Sequence, residues 1–334
     1  MRKLELHART GEAFEVAMKA IKAAEPVDYH VLELERRDRR LVSVFLRDAT
    51  SQSLLDNLQT VFEHESDWRI NLHTVEATLP VVDAEDNDPD GKVATQALRE
   101  EIYSDVSAGA TLDRHFILLV ALSTVVVAAG LNADSAAGVI GSMVIAPLLG
   151  PIMAVGLGAA LGDRSLLFGS VISLVAGIAI ALGLSFVFGV VVEVEMGSRE
   201  LESRAEVRLD GMALAIAAGA AAALSMARGQ NTALVGVMVA AALLPPIAAV
   251  GLFAGSGHYE PAGRAALLLL LNIASLIFSA LVVFYLQGIR PRGWLEREHA
   301  KRAVALNLAL AIGTLALCVY LILELGLGER FSLG

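Results

Sequence analysis

The sequence has one cysteine, Cys318, which lies within an apolar run. A single cysteine excludes a disulfide framework and a cysteine-based metal site within one chain. The first 24 residues lack an apolar segment followed by a small-residue cleavage site, so no secretory signal peptide is predicted and the N-terminal part is expected to stay in the cytoplasm. The formal net charge of −10 argues against nucleic acid as the main partner.

Catalytic motifs are missing as well. The sequence contains no Walker phosphate loop, no G-x-S-x-G elbow, no H-E-x-x-H helix and no aspartate pair of the intramembrane-protease type. No Asp, Glu, Lys, Arg or His lies near the centre of its long apolar runs, where proton relays need such groups. We therefore expect neither an enzyme nor a proton-driven pump, and no cofactor is predicted.

The chain is rich in apolar residues. Its hydrophobic share is 55% and its mean hydropathy is +0.61, which is more apolar than the cores of two soluble domains can absorb. Most charged residues lie in 1–114, whereas 115–325 consists of apolar runs close to bilayer-crossing length. The pattern predicts an α-helical polytopic membrane domain over 115–334. Its seven predicted spans are 115–131, 136–161, 165–192, 211–227, 232–255, 264–286 and 303–325.

Residues 1–80 predict a separate soluble domain. Alternating apolar and polar residues indicate strands, and apolar residues at helical spacing indicate two helices. The predicted order is a strand around Leu4, a helix at 12–24, strands at 29–35 and 41–46, a helix from Ser51, and a strand at 68–79. This β-α-β-β-α-β order is that of the ferredoxin-like α+β fold, which does not by itself specify a function.

An acidic linker and an amphipathic helix are predicted at 81–114. Asp86, Asp88 and Asp90 form the opening of an EF-hand calcium loop, but Ala97 stands where that loop needs a bidentate Glu. Calcium binding is therefore the weaker interpretation, and a disordered or helix-capping linker the stronger one. The stretch that follows has apolar residues on one face and is expected to lie along the cytoplasmic membrane surface.

Two segments of the membrane domain repeat each other. Residues 139–157 align without a gap on 234–252, at an offset of 95, and 12 of 19 positions are identical. Each segment is the middle span of three consecutive spans. Because three is odd, the second copy is predicted to enter the membrane upside down, which gives the inverted 3+3 plan of many transporters, with repeats at about 115–192 and 211–286.

Prolines within the two middle spans predict that both helices are broken at the same place. A proline removes a backbone donor, and a carbonyl freed inside a bilayer needs water, another helix or a ligand. Paired breaks near the midplane therefore indicate a substrate pathway; structural kinks that let helices pack are the alternative. The candidate pathway residues are Gly141, Ser142, Pro147, Gly150, Pro151, Gly236, Pro245, Pro246, Asn272 and Asn307.

Asn272 and Asn307 belong to this set because a buried amide needs partners. Hydrogen bonding between helices is the commoner role of such residues.

The distribution of charge predicts the orientation of the spans. With the N-terminal domain inside, Arg114, Arg164, Arg228 and the segment 290–302 fall on the cytoplasmic side, and the acidic loop 193–210 falls outside. This agrees with the positive-inside rule, with Arg264 as the exception at an outer edge. We therefore expect a multi-pass protein of the cytoplasmic membrane.

Several of these motifs resemble a known family. Residues 99–103, Leu122-Ser123-Thr124, 138–151 and 241–251, with Asn272, are similar in order and spacing to the prokaryotic "uncharacterised hydrophobic domain" membrane proteins, catalogued as domain of unknown function 389. The resemblance covers about 99–285. It implies architecture and membrane location but supplies no substrate or mechanism.

Two functions follow from the sequence. The first is a transporter or channel of unknown substrate, with a cytoplasmic domain that gates it or assembles subunits. The alternative is a membrane sensor or scaffold in which the soluble domain binds a ligand or partner. The expected partners are the lipid bilayer, further copies of the chain through the helix at 303–325, and a small-molecule or ion ligand.

Overall fold

A computed structural model describes the two compact units of the chain, residues 1–99 and 100–334. The described residues are 1–33, 38–75, 99–206, 209–230 and 233–289, with 308–309, 312–317, 320 and 324. The predicted calcium ligands Asp86, Asp88 and Asp90 lie outside these residues, as does Asn307.

The first unit contains a four-stranded sheet and two helices. In chain order these are β1 (Arg2–Arg9), α1 (Glu12–Ala23), β2 (Asp28–Glu33), β3 (Arg39–Leu46), α2 (Asp48–Val61) and β4 (Arg69–Thr74). The strand order across the sheet is β2-β3-β1-β4, and every neighbouring pair is antiparallel. The elements follow the order that the alternation of the sequence predicts.

One face of this sheet forms the core of the unit. Alternate residues of β1, such as Leu4 and Leu6, are buried with Val42 and Val44 of the neighbouring strand β3. Apolar residues of α1 and α2 complete this cluster, which includes Phe14, Ala17, Ile21, Leu54, Leu55 and Leu58. The edge strand β2 is exposed at all six of its residues.

The second unit is helical. Its elements are α3 (Arg99–Gly109), α4 (Arg114–Asn132), α5 (Ala136–Ile145), α6 (Leu149–Leu161), α7 (Arg164–Val191), α8 (Arg199–Glu202), α9 (Leu209–Ala227), α10 (Ala233–Gly255) and α11 (Tyr259–Leu286). Acidic and hydroxyl side chains begin several of them, because the first amides of a helix have no partner within it. Asp113 accepts from Phe116 N at 2.7 Å, and Asp163 accepts from Ser165 N and Leu166 N.

Four of these helices are long and apolar enough to cross a membrane: α4, α7, α10 and α11. The pair α5 and α6 makes a fifth span if its two parts, which are bent by 55°, count as one. The apolar part of α9, Gly211–Ala227, is shorter. The chain is therefore a membrane-type helical protein, while a total of seven spans stays a prediction. Most of the predicted seventh span, 303–325, lies outside the described residues.

The helices of the two repeats cross one another reciprocally. A Cβ on Gly156 of α6 would lie 2.8 Å from Ala280 Cβ of α11, and a Cβ on Gly251 of α10 would lie 2.5 Å from Ser185 Cβ of α7. Gly156 and Gly251 are 95 residues apart, and so are Ser185 and Ala280. The two crossings therefore use equivalent positions of the two repeats. Each middle helix thus packs on the third helix of the other repeat through a glycine that allows close approach.

Candidate functional site

The break between α5 and α6 interrupts the middle span of the first repeat. The last backbone bond of α5 joins Ala146 N to Ser142 O at 3.1 Å, and α6 begins three residues later. Pro147 and Pro151 lack the N–H groups that the carbonyls four residues earlier would use in a regular helix. These prolines are four residues apart, so donors are missing from two successive turns.

The middle span of the second repeat is not broken, and the prediction of two equivalent breaks is wrong at this point. Helix α10 runs continuously from Ala233 to Gly255 with Pro245 and Pro246 inside it. The alignment explains the difference. Pro246 corresponds to Pro151, but the counterpart of Pro147 is Ala242, which has the amide that a helix needs. Because the two prolines of α10 are adjacent, they remove donors from a single turn.

Asn272 of α11 compensates for one of these missing donors. Pro246 leaves the carbonyl of Ala242 without its usual amide, and Asn272 Nδ2 donates to that oxygen at 2.8 Å. The residue at the equivalent position of the first repeat is Gly177, which has no side chain to offer. A Cβ on Gly177 would lie 3.1 Å from the ring of Phe116. The ring therefore occupies the space beside Gly177. The hydrogen bond from Asn272 to the Ala242 carbonyl has no equivalent at this position of the first repeat.

The predicted pathway residues fall into separate groups. Leu149, at the start of α6, packs against Gly236 of α10, since a Cβ on Gly236 would lie 3.4 Å from its Cδ2 atom. Gly150 lies against the backbone of Gly109 at the end of α3. Gly141 is exposed on α5, and a Cβ there would have no other atom within 4 Å.

The remaining predicted residues that the structure describes are buried or half-buried. Pro151, Pro245 and Pro246 are buried, and Pro147 is half-buried. Ser142 is buried and donates to Val139 O of its own helix at 2.6 Å. Asn272, together with Pro245 and Pro246, therefore forms one group at the middle of α10 and α11, and the break lies in another group against the first half of α10.

Most buried hydroxyls of the described spanning helices form hydrogen bonds within their own helix. Their side chains donate to carbonyls three or four residues earlier, as Ser/Thr side chains in helices commonly do. This holds for Ser123, Thr124, Ser142, Ser170, Ser173, Ser275 and Ser279. Their presence in an apolar run is therefore no sign of a ligand site.

Two buried side-chain atoms of the described spans have no hydrogen-bond partner: Asn272 Oδ1 and Ser185 Oγ. Sequence reasoning selected Asn272 but missed Ser185. In the sequence, Ser185 is distinguished only by standing where the other repeat has Ala280. This difference gains meaning once α7 is known to cross α10 at Gly251.

Side chains that could bind a metal ion are dispersed over the described part of the chain. That part contains no group of three or more His, Cys, Asp or Glu side chains placed to hold a metal ion. The weak calcium prediction concerns residues outside it and stays a prediction.

Comparison with known proteins identifies the family. The profile described as "Domain of unknown function (DUF389)" matches residues 143–278. An uncharacterised protein of Methanocaldococcus jannaschii, MJ0678, is 32% identical over 274 residues, which cover 81% of this chain and 84% of that protein. The chain belongs to the DUF389 family. No solved structure matches it significantly.

The DUF389 match contains most of the site. It begins in α5, two residues after Gly141, and ends in α11 beyond Asn272, so it includes the break, α10 and the bond between Asn272 and Ala242. This confirms the resemblance found in the sequence. The family assignment carries no activity with it.

Outside the spans of this DUF389 protein, a tyrosine joins α3 to the turn before α7. Tyr103 O–H donates to Asp163 Oδ2 at 3.0 Å, while the other oxygen of the same carboxylate caps α7. Burial, and then this hydrogen bond, raise the pKa of the Tyr103 phenol above its usual value. The predicted amphipathic helix lies here as α3, with Ile102 and Val106 buried on one face.

The N-terminal unit has ion pairs on its surface. Lys3 donates to Glu5 at 2.6 Å, and this hydrogen bond lowers the pKa of the Glu5 carboxyl. A hydrogen bond from Arg39 lowers the pKa of Asp67, and the same contact raises the pKa of Arg39. These groups lie on the surface and are half-buried, so solvent still screens the pairs and limits what they contribute to stability.

Proposed function

We propose that this DUF389 protein is a transporter or channel of the cytoplasmic membrane whose pathway runs beside the α5–α6 break. The observation that carries the proposal is the 55° bend within an otherwise apolar span. The prolines deprive the carbonyls of Met143 and Pro147 of their helical donors. Irregular backbone at membrane depth is tolerated where it is buried in protein or lines a hydrated cavity. In this proposal the break lines a hydrated cavity.

The relation between the repeats also supports transport. In this proposal the repeats have inverted 3+3 topology, and residues 303–325 form a seventh span outside them. The reciprocal crossings of Gly156 with Ala280 and of Gly251 with Ser185 are the contacts expected of two halves related by an approximate two-fold axis. Transporters of this plan bind substrates near the midplane, at the junction of their repeats.

The N-terminal unit is assigned a regulatory or assembly role in this proposal. We assign it to the ferredoxin-like class for two reasons. Its element order is β-α-β-β-α-β, and its strands lie in the order β2-β3-β1-β4 with every neighbouring pair antiparallel. In the same proposal this unit lies in the cytoplasm, the chain forms a homo-oligomer, and the protein neither catalyses a reaction nor binds nucleic acid.

A sensor or scaffold is the second candidate, and one observation favours it. A shallow depression lies on the sheet surface of the N-terminal unit, where the Lys3 ammonium is 5.9 Å from the centre of the Phe45 ring. Its lining residues are Lys3, Tyr29, His30, Val31, Leu32, Ser43 and Phe45. Such a mixture of apolar and polar groups suits a small ligand, which the spans would then only anchor.

Flux through proteoliposomes tests the transport proposal. Purified full-length protein is reconstituted, and the release of sodium, potassium, chloride and small neutral solutes is compared with that from empty vesicles. We expect faster release of at least one of them, and the double variant P147A/P151A should lose most of the increase because the restored amides favour a regular helix. Pro261 lies in the first turn of α11, where a missing amide matters little, so P261A is the matched control.

Two outcomes would contradict the proposal. One is wild-type protein that releases none of the solutes faster than empty vesicles do. The other is a folded P147A/P151A variant with unchanged flux, which would indicate that the break does not line the pathway. Retention of ligand binding by the N-terminal unit in the same variant would favour the sensor.

A further inference from the structure

The middle of α10 and α11 has more hydrogen-bond acceptors than donors. Pro245 and Pro246 remove the amides that would serve the carbonyls of Ala241 and Ala242. Asn272 donates to Ala242 O at 2.8 Å, and its own Oδ1 is buried with no partner. Asn272 is only 5% exposed, so bulk water does not solvate this oxygen.

An unpaired acceptor at this depth is costly. A buried polar atom without a partner costs of the order of 1–3 kcal/mol, and the low local dielectric increases the effect. All the buried polar side chains of the described spanning helices are neutral, so no nearby ionised group compensates for it. The missing partner is therefore a hydrogen-bond donor or a species that carries positive charge, and the acceptors left by the proline pair favour the second.

We propose that Asn272 Oδ1 and the Ala241 carbonyl are ligands of a monovalent cation site at the proline pair of α10. Oxygen ligands of carbonyl type suit hard cations, and they repel anions. A divalent ion is disfavoured, because neutral oxygens cannot compensate two charges within the bilayer. If the site holds the transported or coupled ion, the inference rests on the transport proposal and deepens it. Binding itself is measured without any flux.

The first repeat lacks this site, so the two described repeats together provide one such site. Its counterpart of Asn272 is Gly177, and Phe116 fills the space beside it. Its counterpart of Pro245 is Gly150, which retains an amide. Neither proposed ligand, an amide oxygen and a backbone carbonyl, titrates near neutral pH. Cation binding is therefore expected to be independent of pH between about 6 and 8, the range in which histidine side chains normally titrate.

Thermal unfolding of the detergent-solubilised full-length protein tests the site. Sodium chloride and potassium chloride are compared with choline chloride at equal ionic strength, so that general salt effects cancel. We expect sodium or potassium to raise the unfolding midpoint by about 3–6 °C at one hundred times the dissociation constant. The variant N272L should lose this shift, and S279A should keep it because the Ser279 hydroxyl donates within its own helix.

A second variant separates loss of the site from loss of the fold. P245A leaves Asn272 in place but restores an amide for the Ala241 carbonyl, so it should reduce the cation-dependent shift without lowering the midpoint in choline. The proposal is overturned if wild-type protein shows no difference between the three salts, which would mean that water alone satisfies Asn272. It is equally overturned if N272L keeps the full shift. Cation binding without flux would instead refute transport alone.

Discussion

A carbonyl that a proline deprives of its donor inside an apolar helix needs another partner, and Asn272 supplies one for Ala242. The amide is at the middle of α11, opposite the middle of α10, and it is buried away from bulk water. This single bond accounts for part of the difference between the two repeats. Where the first repeat has Pro147 and Gly177, the second has Ala242 and Asn272, and its helix stays continuous.

The bond predicts coupling between Asn272 and Pro246. In wild-type protein, N272A should lower the free energy of unfolding by about 1 kcal/mol, a typical value for hydrogen bonds between membrane helices. In a P246A background the loss should shrink towards zero, because the substituted alanine offers its own backbone amide to the Ala242 carbonyl. Reversible unfolding in mixed detergent micelles measures all four proteins of this cycle. Equal losses in the two backgrounds would show that the Asn272 side chain acts elsewhere.

At the scale of elements, glycines decide how closely the two repeats approach. Gly156 and Gly251 lie where a middle helix crosses the third helix of the other repeat, and neither position has room for a side chain. Close contact of this kind holds membrane helices together, because lipid is as apolar as the side chains and burial alone offers little. The bend between α5 and α6 also belongs to this scale, since it needs donors to be missing from two successive turns.

The crossing predicts unequal effects of two alanine substitutions. In G251A the new Cβ would lie 2.5 Å from Ser185 Cβ and 2.8 Å from Phe186 N, so the helices must separate. We expect a loss of about 1–3 kcal/mol in the free energy of unfolding, as for other overpacked sites. Gly183 of α7 is exposed with nothing within 4 Å, and G183A should be neutral or stabilise the helix by up to about 1 kcal/mol. Similar losses in both variants, measured by the same unfolding assay, would argue against the crossing.

At the scale of the whole molecule, the order of the helices and the placement of charges define the proposed orientation. Arg114 and Arg164 begin α4 and α7, and Arg228 follows α9, so all three fall on one side if α5 and α6 make one span and α9 makes another. The segment between α7 and α9 falls on the opposite, external side in this orientation, and its glutamates outnumber its arginines.

Cysteine labelling tests this orientation. Because Cys318 is the only cysteine, C318A provides a background without thiols, and single cysteines are then introduced at two exposed serines. A membrane-impermeant maleimide applied to intact cells should label S203C, in the loop after α7, and should spare S165C, at the start of α7. Both should react after the membrane is permeabilised. The reverse pattern would place the N-terminal unit outside, and labelling of both in intact cells would refute an odd number of spans between them.

Much of the architecture was predictable from local patterns. The alternation of β1 and β3 and the apolar spacing of α1 reflect the two faces that each element must have, and they appear in the sequence directly. The bounds of α7 and α10 and the end of α11 follow from apolar runs, because long runs have no soluble alternative, whereas α11 begins five residues before its predicted start. Asn272 was identifiable as an unusual polar residue in such a run, and the repeat of 139–157 in 234–252 was visible in the alignment.

Other features depend on tertiary contacts. The donor that the Ala242 carbonyl finds is Asn272, thirty residues away in sequence, and this contact could not be read from either segment alone. The unpaired oxygen of Ser185 is identified only once the neighbours of α7 are known. Apolar spacing, proline positions and charge are properties of single segments, so the sequence alone determined the elements, the repeat and the membrane-type character of the chain. Which freed carbonyl finds a donor depends on which helices touch, and only the tertiary structure decided that.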